Sequence, residues 1–496
     1  MHIPGPSQLD RDDWNIYLSI TVFFLICLAP IMFPGHYLYD DVGRSIEGYY
    51  DWTANGRPFS DLIYFVLMRG SATHDIAPLP QLLSVLSIGA AALFLRRAFR
   101  EESTLNVFLL GSMVFAVPTY LENFSYNYDS FSYTISALLA LAAACVGVNG
   151  WKLVLSATLL LLSLLTYQAA INVYFVASLG LFAFYSVEHN STRYTFILRK
   201  TAVAAVCLVF YLATSFFYPY GNYEKQHNGL VSLSHPVAGI LRNIREGFSQ
   251  LYSTLALDPV LLIIVIAVIA FPVLALLAIF AGTRRRSPLE AALALLFAIL
   301  AIIGVQIVLK SPVWHARTYL GLGAACTIST VISLRVCQGQ VGRSFARILA
   351  LGLMFCFLTT TYSLGAFLKN VRLYQQSAVP PMAAKINRVA ASSHASVFAI
   401  WGQEHFPTNM QMTLKAVPIL SEINNGDPIY NGWWGYKTLV QYGLNQSLIF
   451  GGKKDWSEVC RLLPAHPFSS GYEVVSNGKT VFLVFPDGCP QSIAEN

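Results

Sequence analysis

From residue 16 to residue 368 long apolar runs alternate with short polar connectors, and the remaining 128 residues follow a mixed pattern. A hydrocarbon core of about 30 Å takes roughly 20 helical residues to cross, and the apolar runs approach that length. Eleven spans are predicted, at 16–34, 79–95, 104–120, 131–148, 152–167, 170–187, 200–219, 258–281, 288–309, 317–334 and 347–368. Only Tyr167, Gln168 and Ala169 separate the fifth from the sixth, which reads either as a tight hairpin or as one broken segment. The first run does not read as a cleavable signal peptide: Asp10, Asp12 and Asp13 precede it, it is long, and no small-residue cleavage site follows.

Composition supports the pattern. Of 496 residues 55% are hydrophobic and 12% charged, with a mean hydropathy of +0.53; a soluble domain carries about twice that charge. A soluble enzyme is thereby excluded. The net charge of +6, with no basic block beyond Arg284, Arg285 and Arg286, gives no reason to invoke nucleic acid.

Lys and Arg orient the chain. The N-terminus and the connectors 96–102, 149–152, 188–200, 282–287 and 335–347 hold 14 basic residues in 58 positions; the opposite set, 35–78, 121–130, 167–170, 220–257 and 310–317, holds 8 in 104. The basic set is expected to be cytoplasmic. With eleven spans, the N-terminus is then inside and residues 369–496 outside, in the periplasm of a Gram-negative host.

The predicted architecture is a polytopic helical membrane domain, 1–368, followed by a small α/β domain, 369–496. Strand-like runs at 396–401 and 480–485, separated by helix-like stretches and turns such as Asn424-Asn425-Gly426-Asp427-Pro428, carry the second reading. Its aromatic cluster, Trp433, Trp434 and Tyr436, reads as core packing or as a polysaccharide contact. Six of eight cysteines lie in or beside spans as packing residues; Cys460 and Cys489 of the tail either join in one disulfide or stay as thiols. No zinc-ligand spacing occurs, and the tail has no phosphate loop or nucleophile elbow.

Charge is scarce where a transporter needs it. Apart from Glu290, the interiors of the spans hold no Asp, Glu, Lys or Arg, whereas coupled transporters carry ionisable residues inside the membrane. Polar chemistry gathers instead on the outer loops. The first holds Asp40-Asp41-Val42-Gly43-Arg44, then Tyr49, Tyr50 and Trp52, then Asn55-Gly56-Arg57-Pro58. Adjacent carboxylates in a partly desolvated place repel, which raises one pKa and suits a general base; alternatively Asp40 and Asp41 cap a juxtamembrane helix over 42–54. The second loop alternates acids, amides and aromatics through Glu122, Tyr126 and Asp129, a mixture suited to a sugar. Gln168 and Asn172 lie on the same predicted face. The loop 310–317 brings Lys310, His315 and Arg317 to headgroup depth, where cationic donors bind phosphate oxygens or serve as snorkelling anchors.

These motifs, with Tyr167-Gln168-Ala169-Ala170-Ile171-Asn172, resemble those of the serotype-converting O-antigen glucosyltransferases of temperate phages and bacterial islands, across residues 37–323. The resemblance implies a GT-C-like enzyme of the bacterial inner membrane that takes glucose from undecaprenyl phosphate glucose and adds it to lipid-linked O-antigen on the periplasmic face, altering lipopolysaccharide serotype. It also implies a donor synthase and a flippase as functional partners, and Asp40 and Asp41 as the acidic catalytic motif. In that scheme Arg44, Arg57, Glu122, Tyr126, Asp129, Gln168, Lys310, His315 and Arg317 bind substrate, and displacement at the anomeric carbon inverts it. No metal is required, although Asp40 and Asp41 offer a place for one. A transferase of another polyprenyl-phosphate sugar or an O-antigen polymerase remains the alternative, and a lipid or polysaccharide flippase fits less well.

Overall fold

The computed structural model describes residues 9–489, apart from 215–216, 218–220, 222–226, 228, 233, 338, 403, 405, 424–428, 430–431, 452–455, 465–467 and 469–470. The turn expected at 424–428 lies outside the described residues.

The chain opens with α1 (Arg11–Met32), α2 (Asp40–Glu47), α3 (Pro58–Met68), α4 (Leu79–Phe99), α5 (Thr104–Met113) and α6 (Leu121–Ser125). There follow α7 (Ser130–Cys145), α8 (Trp151–Thr166), α9 (Ile171–Val187), α10 (Arg193–Thr214), α11 (Pro236–Ala256), α12 (Pro259–Thr283), α13 (Arg286–Leu300) and α14 (Gly321–Val336). Each of the eleven predicted apolar segments overlaps a helix. Among the described residues six helices can cross a membrane by length and composition, or seven when Thr104–Met113 and Pro118–Ser125, bent by 52°, count as one span. The other four expected spans, α7, α8, α13 and α14, have 15 or 16 helical residues, or about 24 Å at 1.5 Å per residue, short of the hydrocarbon thickness. Several apolar helices thus mark a membrane protein.

Two breaks in the helical pattern have identifiable chemistry. Tyr167 is extended, with φ −157° and ψ 114°, and divides the fifth and sixth predicted spans into separate helices. Beyond α13 the chain unwinds, and Asn172 satisfies the freed backbone: its Nδ2 donates to the Ile302 carbonyl at 3.1 Å and its Oδ1 accepts from the Val305 amide at 3.3 Å. At the other end of the bundle the buried Lys200, counted above among cytoplasmic cations, donates to the carbonyls of Ala143 and Val146 at 2.5 and 2.8 Å and to Ser156 Oγ at 3.0 Å. It holds the C-terminal carbonyls of α7, which lack intrahelical partners.

The last span does not stop where hydropathy falls. It continues as α15 (Gln340–Ser393), a 54-residue helix running through the expected boundary at 368/369. Its second half packs Val379, Met382, Ala383 and Ile386 against the tail core. The tail proper contains β1 (Val397–Trp401), α16 (Thr408–Ala416), α17 (Leu420–Ile423), α18 (Trp433–Gln441), β2 (Ile449–Phe450), α19 (Trp456–Arg461), β3 (Glu473–Ser476) and β4 (Thr480–Val484). Its sheet has the order β2-β1-β4-β3, with β1 parallel to β2 and β4, and β3 antiparallel to β4. The two strand-like runs of the sequence are β1 and β4, adjacent at the sheet centre and buried on both faces.

Cys460 and Cys489 are bonded, with Cα atoms 5.8 Å apart, the usual span of a disulfide. Alkylation of the denatured, unreduced protein is therefore expected to label six of its eight cysteines. Labelling of all eight would show the tail reduced.

Candidate active site

The first outer loop is not a simple connector. α2 starts at Asp40 and ends at Gly48, whose φ of +67° is the left-handed cap conformation glycine favours; the helix expected over 42–54 is thus a two-turn element. Asp40 and Asp41 are consecutive helical residues, so their side chains diverge by about 100°. Asp40 faces a cavity of about 470 Å³ lined also by Tyr39, Asn55, Arg57, Glu122, Tyr126, Tyr133, His315, Arg317, Glu422 and Trp434. Asp41 turns inward and is fully buried.

Behind the cavity lies a charged cluster. Asp41 accepts hydrogen bonds from the amides of Asn127 at 2.7 Å and Tyr128 at 3.3 Å, tying the first outer loop to the second. Arg44 Nη1 bonds Asp129 Oδ2 at 2.7 Å, with both side chains 2% exposed. Trp52 Nε1 donates to the other Asp129 oxygen, and the guanidinium lies 4.1 Å from the centre of the Trp52 ring. Burial, and then the charge of Asp129, push the Asp41 carboxyl well above the usual carboxylate range. The raised pKa expected for one of the pair falls on Asp41; desolvation is its main cause, as expected, and the neighbouring charge is that of Asp129 rather than Asp40.

The wall opposite is built around one arginine. Arg317 donates from its backbone amide to Glu122 Oε2 at 2.8 Å and from Nη1 to Glu122 Oε1 at 3.0 Å, and its guanidinium also meets the Tyr126 hydroxyl. Such charge-assisted bonds are stronger than neutral ones and fix a side chain that would otherwise be mobile. Burial raises the Glu122 pKa, against the Arg317 charge that lowers it. His315 opens onto the same cavity. Desolvation and the nearby Arg317 charge pull its pKa down to about 4, so at neutral pH it is an uncharged imidazole rather than the cation pictured from the sequence.

Arg57 is presented by a tight loop. Its guanidinium carbon sits 4.8 Å from the Tyr167 ring centre and 5.8 Å from that of Tyr133. Gln168 supports this loop, donating to the carbonyls of Asn55 at 3.0 Å and Gly56 at 3.2 Å. Gly56 has φ +71°, and a Cβ there would approach Tyr211 Oη to 2.5 Å and Gln168 Nε2 to 2.7 Å, so a side chain would strain the backbone and displace the amide that supports the loop.

Of the residues predicted from sequence, the structure therefore brings Asp40, Arg57, Glu122, Tyr126, His315 and Arg317 to one cavity. Asp41, Arg44, Asp129 and Gln168 stand behind it, in contact with its loops. Lys310 lies elsewhere, in a separate groove with Arg242, His235 and Ser232. Asn55 belonged to a recognised motif without being singled out, and Tyr39 directly precedes another; Tyr133 and Glu422 carried no sequence signal, and Trp434 was one of three aromatics with two readings. Among the described residues no group of three or more His, Cys, Asp or Glu side chains is arranged to hold a metal.

The fold and site define a helical membrane protein with a cavity walled by acids, an arginine pair and aromatic rings. Over residues 29–328 the chain matches the family described as Glucosyl transferase GtrII, and it belongs to that family. The match encloses the 37–323 stretch that carried the sequence resemblance. A protein of Salmonella phage P22, described as an uncharacterized 55.3 kDa protein in the gtrB 5′ region, is 28% identical over 254 residues, 50% of this chain and 51% of that one. The chain thus spans about half the length of the curated relative it matches. No solved structure matches it.

Two stability outcomes follow from the buried cluster. Removing one partner of a buried ion pair costs about 3–5 kcal/mol, so Asp129→Ala, which strands Arg44, is expected to reduce folded protein sharply in fluorescence-detected size-exclusion, while Lys310→Ala, at an exposed site, leaves it near wild type. Equal recovery of both would remove the structural role given to the pair. For Asp41 the raised folded pKa favours the protonated folded state, so this contribution is present at low pH and lost as pH rises through the folded value. Asp41→Asn is expected to flatten the fall in melting temperature as pH rises above the usual carboxylate range, and an unchanged slope would count against the raised pKa.

Proposed function

We propose that this chain is an integral inner-membrane glucosyltransferase. It moves glucose from undecaprenyl phosphate glucose to lipid-linked O-antigen at the periplasmic face, with the N-terminus cytoplasmic and the tail domain periplasmic. The observation that carries the reading is that Asp40 and Arg317, which are 277 positions apart in sequence, line one cavity of sugar-phosphate size. Membership of a glucosyl transferase family supports the sugar; the neighbouring gtrB region is a property of the phage relative and supports the O-antigen context.

In this mechanism Arg317, steadied by Glu122 and Tyr126, takes the donor phosphate and stabilises the negative charge that grows on the leaving oxygen. Neutral His315 adds one N–H donor beside it. Asp40 receives the proton of the acceptor hydroxyl as that oxygen bonds to the anomeric carbon and the bond to phosphate oxygen breaks, inverting the centre. Asp41 acts through position, fixing α2 against the second loop, and Arg57 faces the sugars. The products are the glucosylated polysaccharide and the lipid phosphate. A donor synthase and a flippase are required upstream, because the donor must be made and delivered to this face.

Purified protein with labelled undecaprenyl phosphate glucose and lipid-linked O-antigen is expected to yield labelled polysaccharide. Asp40→Asn is expected to lower kcat by about 10²–10⁴-fold, the range for a general base, with the protein still folded. Its carboxylate is partly exposed and accepts no hydrogen bond among the described residues. Product formation by Asp40→Asn at the wild-type rate would sink the assignment. His315→Gln, which keeps a neutral N–H, is expected to preserve the shape of the pH–rate profile above about pH 5.

A further inference from the structure

The catalytic cavity is not completed by the membrane domain. Two of its lining residues, Glu422 after α16 and Trp434 on α18, come from the tail. Their placement is fixed on both sides. The Trp434 ring meets that of Tyr39 edge to face, centroids 6.5 Å apart and planes at 75°. Lys437 on the same helix pairs with Glu47 of α2. A Cβ on Gly43 would come within 3.4 Å of the Trp434 ring, so α18 lies close against the helix that starts with Asp40. Gln250 of α11 donates to Glu422 Oε2 at 3.2 Å. The α18 helix is itself rooted in the tail core through Tyr436 and Leu439.

The three aromatics of this segment have separate fates. Tyr436 is 6% exposed and is core; its hydroxyl donates to the Leu448 carbonyl at 3.0 Å. Trp433 is 48% exposed on the outer surface, with Lys437 Nζ 4.4 Å from its ring centre. Trp434 alone of the three lines the cavity.

We infer that the tail domain supplies the acceptor subsite of this enzyme, with Trp434 and Tyr39 as a platform for one pyranose ring of the acceptor and Glu422 with Asn55 as partners for its hydroxyls. The inference rests on the glucosyl-transfer reading above and extends it. The chemistry of the wall separates acceptor from donor. What the tail brings to the cavity is an acid and an aromatic ring, and Lys437, on the same helix as Trp434, is engaged by Glu47; a carboxylate repels a phosphate but accepts hydrogen bonds from neutral hydroxyls. Indole faces cover the C–H surfaces of sugars, and the indole N–H gives an oriented donor. The cationic wall, Arg317 with His315, is furnished by the membrane domain, where the donor's prenyl chain must lie. The acceptor polysaccharide is hydrophilic and approaches from the water side, where the tail domain stands.

The test measures both substrates separately in the full-length enzyme. Trp434→Ala is expected to raise the KM for lipid-linked O-antigen about tenfold, leaving undecaprenyl phosphate glucose binding within about twofold of wild type by thermophoresis. Trp434→Phe is expected to recover most of the loss, and Glu422→Gln to raise acceptor KM with donor binding unchanged. An unchanged acceptor KM in Trp434→Ala, or a fall in kcat and melting temperature together without a KM effect, overturns the subsite and leaves the transferase reading standing. If wild type neither binds the donor nor forms product, the transferase reading itself has failed, and the subsite with it.

Discussion

The site depends on how the structure buries charge next to a membrane. Arg44 and Asp129 pair almost without exposure, and Asp41 accepts two backbone amides of the same second loop. Charges removed from water are costly unless partnered and hydrogen-bonded, so these groups hold α2 and the second loop in one relative position. That position leaves Asp40 facing the cavity. Two neighbouring carboxylates thereby acquire different positions, one holding the loop and one facing the cavity.

The cationic wall follows the same logic at lower cost. Arg317 would be a mobile side chain at a span end, but Glu122 binds its amide and its guanidinium, and Tyr126 adds a hydroxyl. An arginine held at three points offers its remaining N–H groups to a ligand without a large loss of rotamer freedom on binding. Burial, and then the Arg317 charge, keep His315 neutral, so the wall carries one fixed cation and one neutral donor. Arg57, steered by a loop that Gln168 supports and whose left-handed position 56 favours glycine, faces the same space from a third direction.

Much of this was legible before the structure. Apolar length placed the helices, the strand runs at 396–401 and 480–485 became β1 and β4, and six of the eleven named site residues line the cavity. The misplacements share a cause. Sequence spacing locates a residue on a loop but not the direction of its side chain, so Asp40 and Asp41 were not told apart, and Lys310 and Arg317 were grouped although, with six residues between them, they line separate cavities. Glu422 is invisible to local pattern because its relevance arises from the docking of α17 beside residues 316–318 and α11. The boundary set at 368 reflects a real fall in hydropathy, yet the backbone continues as helix to residue 393 because its later turns bury a new apolar face against the tail sheet.

By itself the sequence determined that this is a membrane protein, which loops carry the polar chemistry, and which residue types are available to it, because burial in hydrocarbon constrains composition over long stretches irrespective of contacts. The tertiary structure alone decided which acid faces the cavity, which cation shares it, and that the tail closes its wall. Those depend on side-chain direction and on contacts between residues hundreds of positions apart, for which a linear pattern has no coordinate.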